Sequence, residues 1–356
     1  MPLLPLYGHA VLKERLRAAV SRSALPASLL LQGPRGIGKQ QLGLWLARLL
    51  LCEHPERAPC GDCKACRMAN ALQHPDLHWY FPRPRLKDSD PDLAAVRGDN
   101  VDAIMERMAD DGVYEPPGGE EAIFVATVRA IVQTATMSPA MGRRKVFVIG
   151  DADRMVAQEG SDQAANAFLK LLEEPLADTT IILTSSEPGA LLPTIRSRAV
   201  TVRVPPLSDD DVRAFLADPA VSEQLDPGRQ TITDLVQLSG GAPGRLIGRA
   251  SWQTALGQAR RILDAAVATD RGARMRVALG QGASGARGKF SDTLDALTVL
   301  LHQRSQSAVE HGDELHASAA ARAVEAVERA KELAYGNVNP QLLTASLLHE
   351  IGALGT

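Results

Sequence analysis

The amino-acid sequence predicts an α/β domain with a mainly parallel sheet, followed by helical segments. Three short apolar runs, at residues 28–31, 145–149 and 180–184, have the composition of buried strands. Helical periodicity alternates with these runs, and that alternation is typical of a parallel sheet covered by helices on both faces. At 356 residues the chain is too long for one ordinary domain, so we expect two or three compact units.

Helical patterns account for most of the remaining sequence. Apolar residues recur with helical spacing at residues 11–20, 41–51, 101–108, 294–301 and 324–333. An irregular region rich in Pro, Gly and Asp, residues 82–121, is interpreted as an insertion that contains one of these helices. From Leu207 onward the pattern is helical, and its clearest break falls at residues 240–244.

Composition excludes two classes of protein. The net charge of −3 argues against a protein that coats nucleic acid through bulk electrostatics, and 45% hydrophobic residues is normal for a globular chain. The first ten residues contain Pro and Gly where a signal peptide needs a basic start and an apolar run. Because no uncharged stretch is long enough to span a bilayer, we expect a cytoplasmic protein.

A phosphate-binding loop lies between the first strand and the next helix. Residues 33–39 read Gly-Pro-Arg-Gly-Ile-Gly-Lys and fit the pattern G-x-x-x-x-G-K, with glycines at Gly33, Gly36 and Gly38. Such glycines let backbone N–H groups point at phosphate oxygens, and Lys39 would reach the outer phosphates. The alternative is a Gly-rich turn without a ligand, which the strand–loop–helix context disfavours.

Two positions that handle magnesium in such sites are altered. The residue after Lys39 should offer a Ser or Thr hydroxyl to the metal, but it is Gln40. The strand at 145–149 should end in an Asp-Glu pair, but Gly150 and Asp151 follow it. Glycine cannot hold a metal, whereas Asp151 keeps a carboxylate able to polarise water. We therefore predict absent or weak ATP hydrolysis, and leave open whether ATP or ADP binds.

All four cysteines fall in one short segment. Cys52, Cys60, Cys63 and Cys66 have the spacing C-x7-C-x2-C-x2-C, and four thiolates suit a closed, structural Zn²⁺ site. The alternatives are free thiols or an iron–sulfur cluster. We favour zinc because the segment is polar and too short to build a core of its own. His54 and His74 lie nearby and are predicted to be surface residues.

Several further segments resemble the clamp-loader subunits of bacterial DNA polymerase III, a family with the AAA+ fold. Residues 164–175, Ala-Ala-Asn-Ala-Phe-Leu-Lys-Leu-Leu-Glu-Glu-Pro, resemble the family's NALLK-LEEP helix. Residues 191–198 are similar to its SRC segment, with Ala199 in place of the usual Cys. The cysteine segment followed by His74-Pro75-Asp76 and the run at 337–343 also match, so the resemblance covers nearly the whole chain outside 82–121.

The resemblance implies a fold, a division of the chain and a set of partners. It implies an AAA+ domain at 1–206 with the zinc module at about 52–66, a helical lid at 207–250 and a helical collar at 251–356. The degraded metal positions imply a delta-prime-type subunit, which assembles with gamma/tau and delta subunits to load the sliding clamp on primed DNA. The alternatives are an ATP-hydrolysing gamma/tau-type motor and a zinc-bearing nucleic-acid-binding protein on a relic NTPase fold.

The resemblance also implies roles for single residues. Arg198 would act as an arginine finger in a neighbour's ATP site, where it neutralises charge on the γ-phosphate; the alternative is a surface arginine in a salt bridge. Ser185 or Ser186 matches the first sensor position and Arg245 the second. Basic residues that flank the helix lining the DNA channel in related loaders are Arg129, Arg143, Arg144 and Lys145. A solvated face is the alternative for these four.

Overall fold

A computed structural model describes most of the chain and divides it into two compact units. Structure is described for residues 4–88, 91–109, 122–155, 162–187, 189–225, 231–247, 249–268, 270–281, 287–335 and 338–354. The first unit comprises Met1–Ile232 with Gly241–Ile247, and the second comprises Thr233–Gly240 with Gly248–Thr356. The finer division into an AAA+ domain, a lid and a collar stays a prediction.

The first unit contains a parallel sheet. Within the described ranges its strands are β1 (Ser28–Gln32), β2 (Leu77–Tyr80), β3 (Lys145–Ile149), β4 (Thr179–Ser185) and β5 (Val200–Arg203). Their order is β2-β3-β4-β1-β5, and every neighbouring pair is parallel. The predicted α/β class and three of its strands are confirmed, whereas β2 and β5 were not predicted.

The described helices of the first unit precede, connect and follow these strands. They are α1 (Ala10–Ser21), α2 (Lys39–Leu51), α3 (Lys64–Asn70), α4 (Leu93–Ala109), α5 (Val125–Ala135), α6 (Asp162–Glu173), α7 (Pro193–Arg196), α8 (Asp209–Leu216), α9 (Pro219–Gln224) and α11 (Gly244–Ile247), whereas α10 (Ile232–Ser239) lies almost entirely in the second unit. The predicted helix at 101–108 is part of the longer α4. Residues 89–90 and 110–121 of the predicted insertion lie outside the described residues.

The core of the first unit is continuous with the strands that carry the candidate site. Leu30 of β1, Phe147 of β3 and Ile181 of β4 are fully buried together with Phe168 of α6. Helix α2 lies close to the sheet, since a Cβ at Gly43 would be 3.0 Å from Val148 Cγ1. This packing fixes the start of α2 against the ends of β1, β3 and β4, where the phosphate-binding loop is placed.

The second unit is helical in its described part. Its helices are α12 (Arg249–Val267), α13 (Arg271–Leu279), α14 (Arg287–Glu310), α15 (Glu314–Tyr335) and α16 (Pro340–Leu354). The predicted stretches at 294–301 and 324–333 lie in α14 and α15, which contribute the buried Leu297 and Val327. Asn339 accepts a hydrogen bond from the Gln341 N–H at 2.8 Å and so caps α16. Asn337 lies outside the described residues.

Candidate nucleotide-site region and cysteine cluster

The phosphate-binding loop has the backbone shape that its glycines predict. Gly36 and Gly38 have φ of 84° and 85°, in the left-handed region that only glycine adopts at low cost, and Gly38 precedes the first turn of α2. A second segment of the chain contacts the loop: the Gly244 N–H donates a hydrogen bond to the Gly36 carbonyl at 2.9 Å. A Cβ at Gly36 would be 2.8 Å from the Arg245 backbone nitrogen.

Lys39, the lysine of the motif, is directed into the protein. Its side chain is 5% exposed, and Nζ donates to the Pro34 carbonyl and to the Ser186 hydroxyl, each at 2.8 Å. The Ser186 N–H in turn donates to Asp153 at 3.1 Å. The ammonium group therefore has neutral oxygen partners from the loop and from the end of β4 in the free chain.

The first-sensor prediction divides between two neighbouring serines. Ser185, the preferred candidate, is fully buried, and its hydroxyl accepts a hydrogen bond from the Glu187 N–H at 3.1 Å. The hydroxyl that contacts Lys39 belongs to Ser186, the alternative candidate. Arg245 lies beside the loop through its backbone, at the start of α11. The sensor roles of all three residues stay predictions.

The side-chain amide of Gln40, the residue after Lys39, is held by three hydrogen bonds. Its Nε2 donates to the Asp151 carboxylate at 3.1 Å. Its Oε1 accepts from Trp79 Nε1 at 3.1 Å and from Arg107 Nη1 at 3.4 Å. Trp79 lies on β2 and Arg107 on α4, so the side chain of Gln40 links the loop to β2 and to the inserted helix.

Asp151 is held in a left-handed conformation at the end of β3. Its φ is 45°, and its backbone N–H donates to the Thr184 hydroxyl at 3.0 Å. Asp153, two residues later, was missed by sequence reasoning. Burial raises the pKa of the Asp153 carboxyl, and the nearby negative charge of Asp151 raises it further. The only signal in the sequence was an Asp-x-Asp pattern directly after a buried strand.

His9 is a second residue that sequence reasoning missed. It is 8% exposed, and its Nε2 lies 2.8 Å from the carbonyl of Ile37 in the phosphate-binding loop. Because a carbonyl oxygen only accepts, the proton of the neutral ring is on Nε2. Burial lowers the pKa of this imidazole, which favours the neutral form. His9 therefore supports the loop from the start of α1.

Arg198 lies after α7, and its guanidinium contacts the end of α6. Its Nε donates to Glu173 Oε1 at 2.6 Å, and Nη2 forms an ion pair with the same oxygen. Nη1 donates to the Thr194 carbonyl at 2.8 Å. The side chains of Arg198 and Glu173 are 29% and 46% exposed. In the free chain Arg198 is thus a surface arginine in a salt bridge, and its role in a neighbour's site stays a prediction.

The four cysteines converge and can hold a metal ion such as zinc. Their sulfur atoms all lie within 4.8 Å of one another, none is in a disulfide, and Cys63 and Cys66 are buried. The Cys52–Cys63 and Cys60–Cys66 sulfur pairs are 4.0 and 3.8 Å apart. A tetrahedral Zn²⁺ with bonds of about 2.3 Å requires sulfur separations of about 3.8 Å. We call these residues the four-cysteine cluster.

Backbone N–H groups donate hydrogen bonds to two of the sulfurs in the four-cysteine cluster, which favours their thiolate forms. The Cys63 and Cys66 N–H groups donate to the sulfurs of Cys60 and Cys63 at 3.4 and 3.3 Å. Burial alone would raise the pKa of the Cys63 thiol, but N–H donors from Glu53 and Cys66 lower it to about 7. Burial raises the pKa of Cys66, so a bound metal ion would stabilise the thiolate form of this residue.

Two predicted surface residues are instead buried. His74 is 2% exposed, and its Nδ1 accepts the Asp76 N–H at 3.1 Å, so the expectation of a surface histidine was wrong. Lys145, predicted to face DNA, is also 2% exposed, and its Nζ donates to the Ala135 carbonyl at 2.6 Å. Burial of an ammonium group demands such partners, and it excludes a DNA contact in this conformation.

Comparison with known proteins finds relatives among the subunits of DNA polymerase III. A family model described as DNA polymerase III, delta subunit, matches residues 8–208. The DNA polymerase III delta-prime subunit of Pseudomonas aeruginosa is 35% identical over 215 residues, which cover 60% of this chain and 52% of that protein. The delta-prime subunit of Escherichia coli is 28% identical over 232 residues, or 65% of this chain and 56% of that protein.

A gamma/tau subunit of DNA polymerase III is a more distant relative. The protein from Mycobacterium tuberculosis is 27% identical over 229 residues, which cover 64% of this chain and 33% of that protein. The chain spans about half the length of the curated delta-prime relatives it matches. Since the family model matches more than half of this chain, the chain belongs to the DNA polymerase III delta-subunit family, among relatives that are delta-prime subunits.

Proposed function

We propose that this chain is a delta-prime-type subunit of a DNA polymerase III clamp loader that hydrolyses little or no ATP itself. The observation that carries the proposal is the amide of Gln40, which lies between Asp151 and Trp79 beside the glycine at position 150. Hydrolysis needs Mg²⁺ to bridge the outer phosphates, and the two residues that should hold it are replaced. The gamma/tau-type alternative requires both.

Within this proposal the chain contributes Arg198 to the ATP site of a neighbouring subunit. An arginine supplied in trans stabilises the charge that develops during phosphoryl transfer. The partly exposed position of Arg198 after α7 supports this role. The partners we propose are gamma/tau and delta subunits, with the sliding clamp and primed DNA reached through the complex. In this proposal residues 1–206 form the AAA+ domain, residues 207–250 the helical lid and residues 251–356 the collar for ring assembly.

The decisive experiment measures ATP turnover in a loader reconstituted from this chain and its gamma/tau and delta partners. Arg198→Ala should lower turnover by roughly 10³-fold at any site that depends on it, because that is the lower end of the effect of an arginine finger. Arg196→Ala is the matched control, since Arg196 is an exposed neighbour on α7. Unchanged turnover with an intact ring would refute the finger role.

The isolated chain tests the other half of the proposal. Without partners it should show no magnesium-dependent ATP turnover. Turnover that Lys39→Ala abolishes would favour the gamma/tau-type motor, because Lys39 is the loop residue expected to contact the outer phosphates. Co-purification with gamma/tau and delta subunits from the native cell would separate the proposal from an independent nucleic-acid-binding protein.

A further inference from the structure

Gln40 and Gly150 compete for the same space. A Cβ at position 150 would lie 2.7 Å from Gln40 Nε2 and closer still to Cδ and Oε1 of the same amide. Real Cβ atoms essentially never approach another heavy atom to less than 3.0 Å. The φ of Gly150 is outside the left-handed region, so its backbone would accept an ordinary L-residue. The amide of Gln40 is therefore what excludes a side chain at position 150.

Moving the Gln40 amide away from position 150 would break its hydrogen bonds. The amide donates to Asp151 at 3.1 Å and accepts from Trp79 and Arg107 at 3.1 and 3.4 Å. Trp79 is 5% exposed, so its indole N–H has little access to water if Gln40 leaves. A buried donor without a partner is costly, and this cost fixes the amide beside Gly150.

The same contacts are unfavourable for a divalent cation. Mg²⁺ binds carboxylate, hydroxyl and water oxygens, but the group that Gln40 directs at Asp151 is an N–H donor. Arg107 brings a positive charge to this amide, because its Nη1 donates to Gln40 Oε1 at 3.4 Å. Its guanidinium also lies 3.4 Å from the centre of the Phe81 ring and 5.2 Å from that of Trp79. The Gln40 donor therefore takes the part that a metal would play toward Asp151, and Arg107 holds the other end of the amide through Oε1.

We propose that Gln40 and Gly150 form one coupled substitution, in which the Gln40 amide, backed by Arg107, replaces the magnesium ion and excludes it. The proposal rests on the proposed function for the identity of the metal position. It goes further, because it states that the residues at positions 40 and 150 depend on each other through their packing. A side chain at position 150 is accepted only when Gln40 is also shortened, and the unaltered chain admits no divalent metal beside Asp151.

A double-mutant cycle on the full chain tests the coupling. Gly150→Ala adds only the Cβ and should lower the thermal midpoint by on the order of 5 °C, because the core is overpacked. The same change made in a Gln40→Ala background should be close to neutral, since the clashing atoms are gone. Gly257→Ala is the matched control, because nothing lies within 4 Å of its added Cβ. Equal losses in both backgrounds would overturn the proposal.

A second measurement addresses the metal directly and does not depend on the variants folding. Mn²⁺ is titrated into the unaltered chain with ATP and followed by electron paramagnetic resonance. We expect no stoichiometric Mn²⁺ that Mg²⁺ displaces, and such binding would overturn the proposal. Unchanged turnover with Arg198→Ala would instead contradict the finger role and leave the coupling of Gln40 and Gly150 intact.

Discussion

Replacing Asp76 should be the most damaging single change among the polar residues described above. Its carboxylate is 1% exposed and accepts the backbone N–H groups of Ala140, Met141 and Gly142 at 2.6, 2.9 and 2.5 Å. These residues form the turn before β3. The Asp-mediated bonds therefore hold the turn that carries Arg143 and leads into the strand ending at the candidate site.

The expected loss of stability can be worked out from the three backbone N–H donors that lose a charged acceptor. Hydrogen bonds to a charged group contribute roughly 1.5–3 kcal/mol each, but donors in this partly buried turn regain some water. We expect Asp76→Ala to lower the free energy of unfolding by about 3 kcal/mol, or about 6–12 °C in the thermal midpoint. Asp76→Asn should lose nearly as much, because its NH₂ group would face N–H donors.

The pH dependence of stability is a more specific test of the role of the Asp76 carboxylate. Burial raises the pKa of Asp76, but the three N–H donors outweigh it and the net shift is downward. A lowered folded-state pKa gives stability that is complete above the unfolded value of about 3.9 and is lost as pH falls through the folded-state pKa. The urea midpoints of the unaltered chain and Asp76→Ala should therefore differ by a constant amount above about pH 5 and converge in acid.

Asp210 offers a control position for the Asp76 variant. Asp210 has a side chain that is 97% exposed, so Asp210→Ala should change the free energy of unfolding by less than about 0.5 kcal/mol at any of these pH values. A loss for Asp76→Ala no larger than this control, or a gap that does not narrow in acid, would show that the carboxylate does not hold the turn.

Two other predictions concern the four-cysteine cluster and the phosphate-binding loop. The purified chain should contain about one zinc per molecule by mass spectrometry, and chelation should lower its thermal midpoint; zinc far below one would count against the site. Gly36→Ala should cost more stability than Gly312→Ala in urea unfolding. Both glycines have positive φ, at 84° and 73°, but only at Gly36 would the Cβ meet backbone atoms, those of Gly244 and Arg245, whereas nothing lies within 4 Å at Gly312. Equal losses of stability would mean that the cost at Gly36 comes from the positive φ alone and not from contact with Gly244 and Arg245.

The strands that could be predicted are those buried on both faces. β1, β3 and β4 are continuous apolar runs in the middle of the sheet, so their boundaries were correct to within one residue. β2 and β5 form the two edges and have four residues each, with polar residues among them. In β2 the polar residue is His78, which is accommodated by stacking on Phe147 with ring centres 4.7 Å apart. Such a tertiary contact leaves no periodic signal in the sequence.

The candidate site could be located from the sequence, but its contacts could not. Motif spacing identified Gln40 and Gly150 as altered positions, and the two residues lie side by side in the structure. The partners that explain the alteration, Trp79 and Arg107, come from an unpredicted edge strand and from the insertion, 39 and 67 positions along the chain from Gln40. No short-range pattern connects them. These contacts depend on β2 and α4 lying beside α2, which local sequence patterns do not specify.

Two intact residues of the predicted site, Lys39 and Arg198, already have partners within the chain. Lys39 is intact, yet Pro34 and Ser186 already give it hydrogen-bond partners, so its presence is not evidence that nucleotide binds. Arg198 is paired with Glu173, but both side chains are partly exposed, and such surface pairs contribute only about 0–1 kcal/mol. In the proposed complex, a neighbour's phosphate would therefore displace Glu173 at small cost.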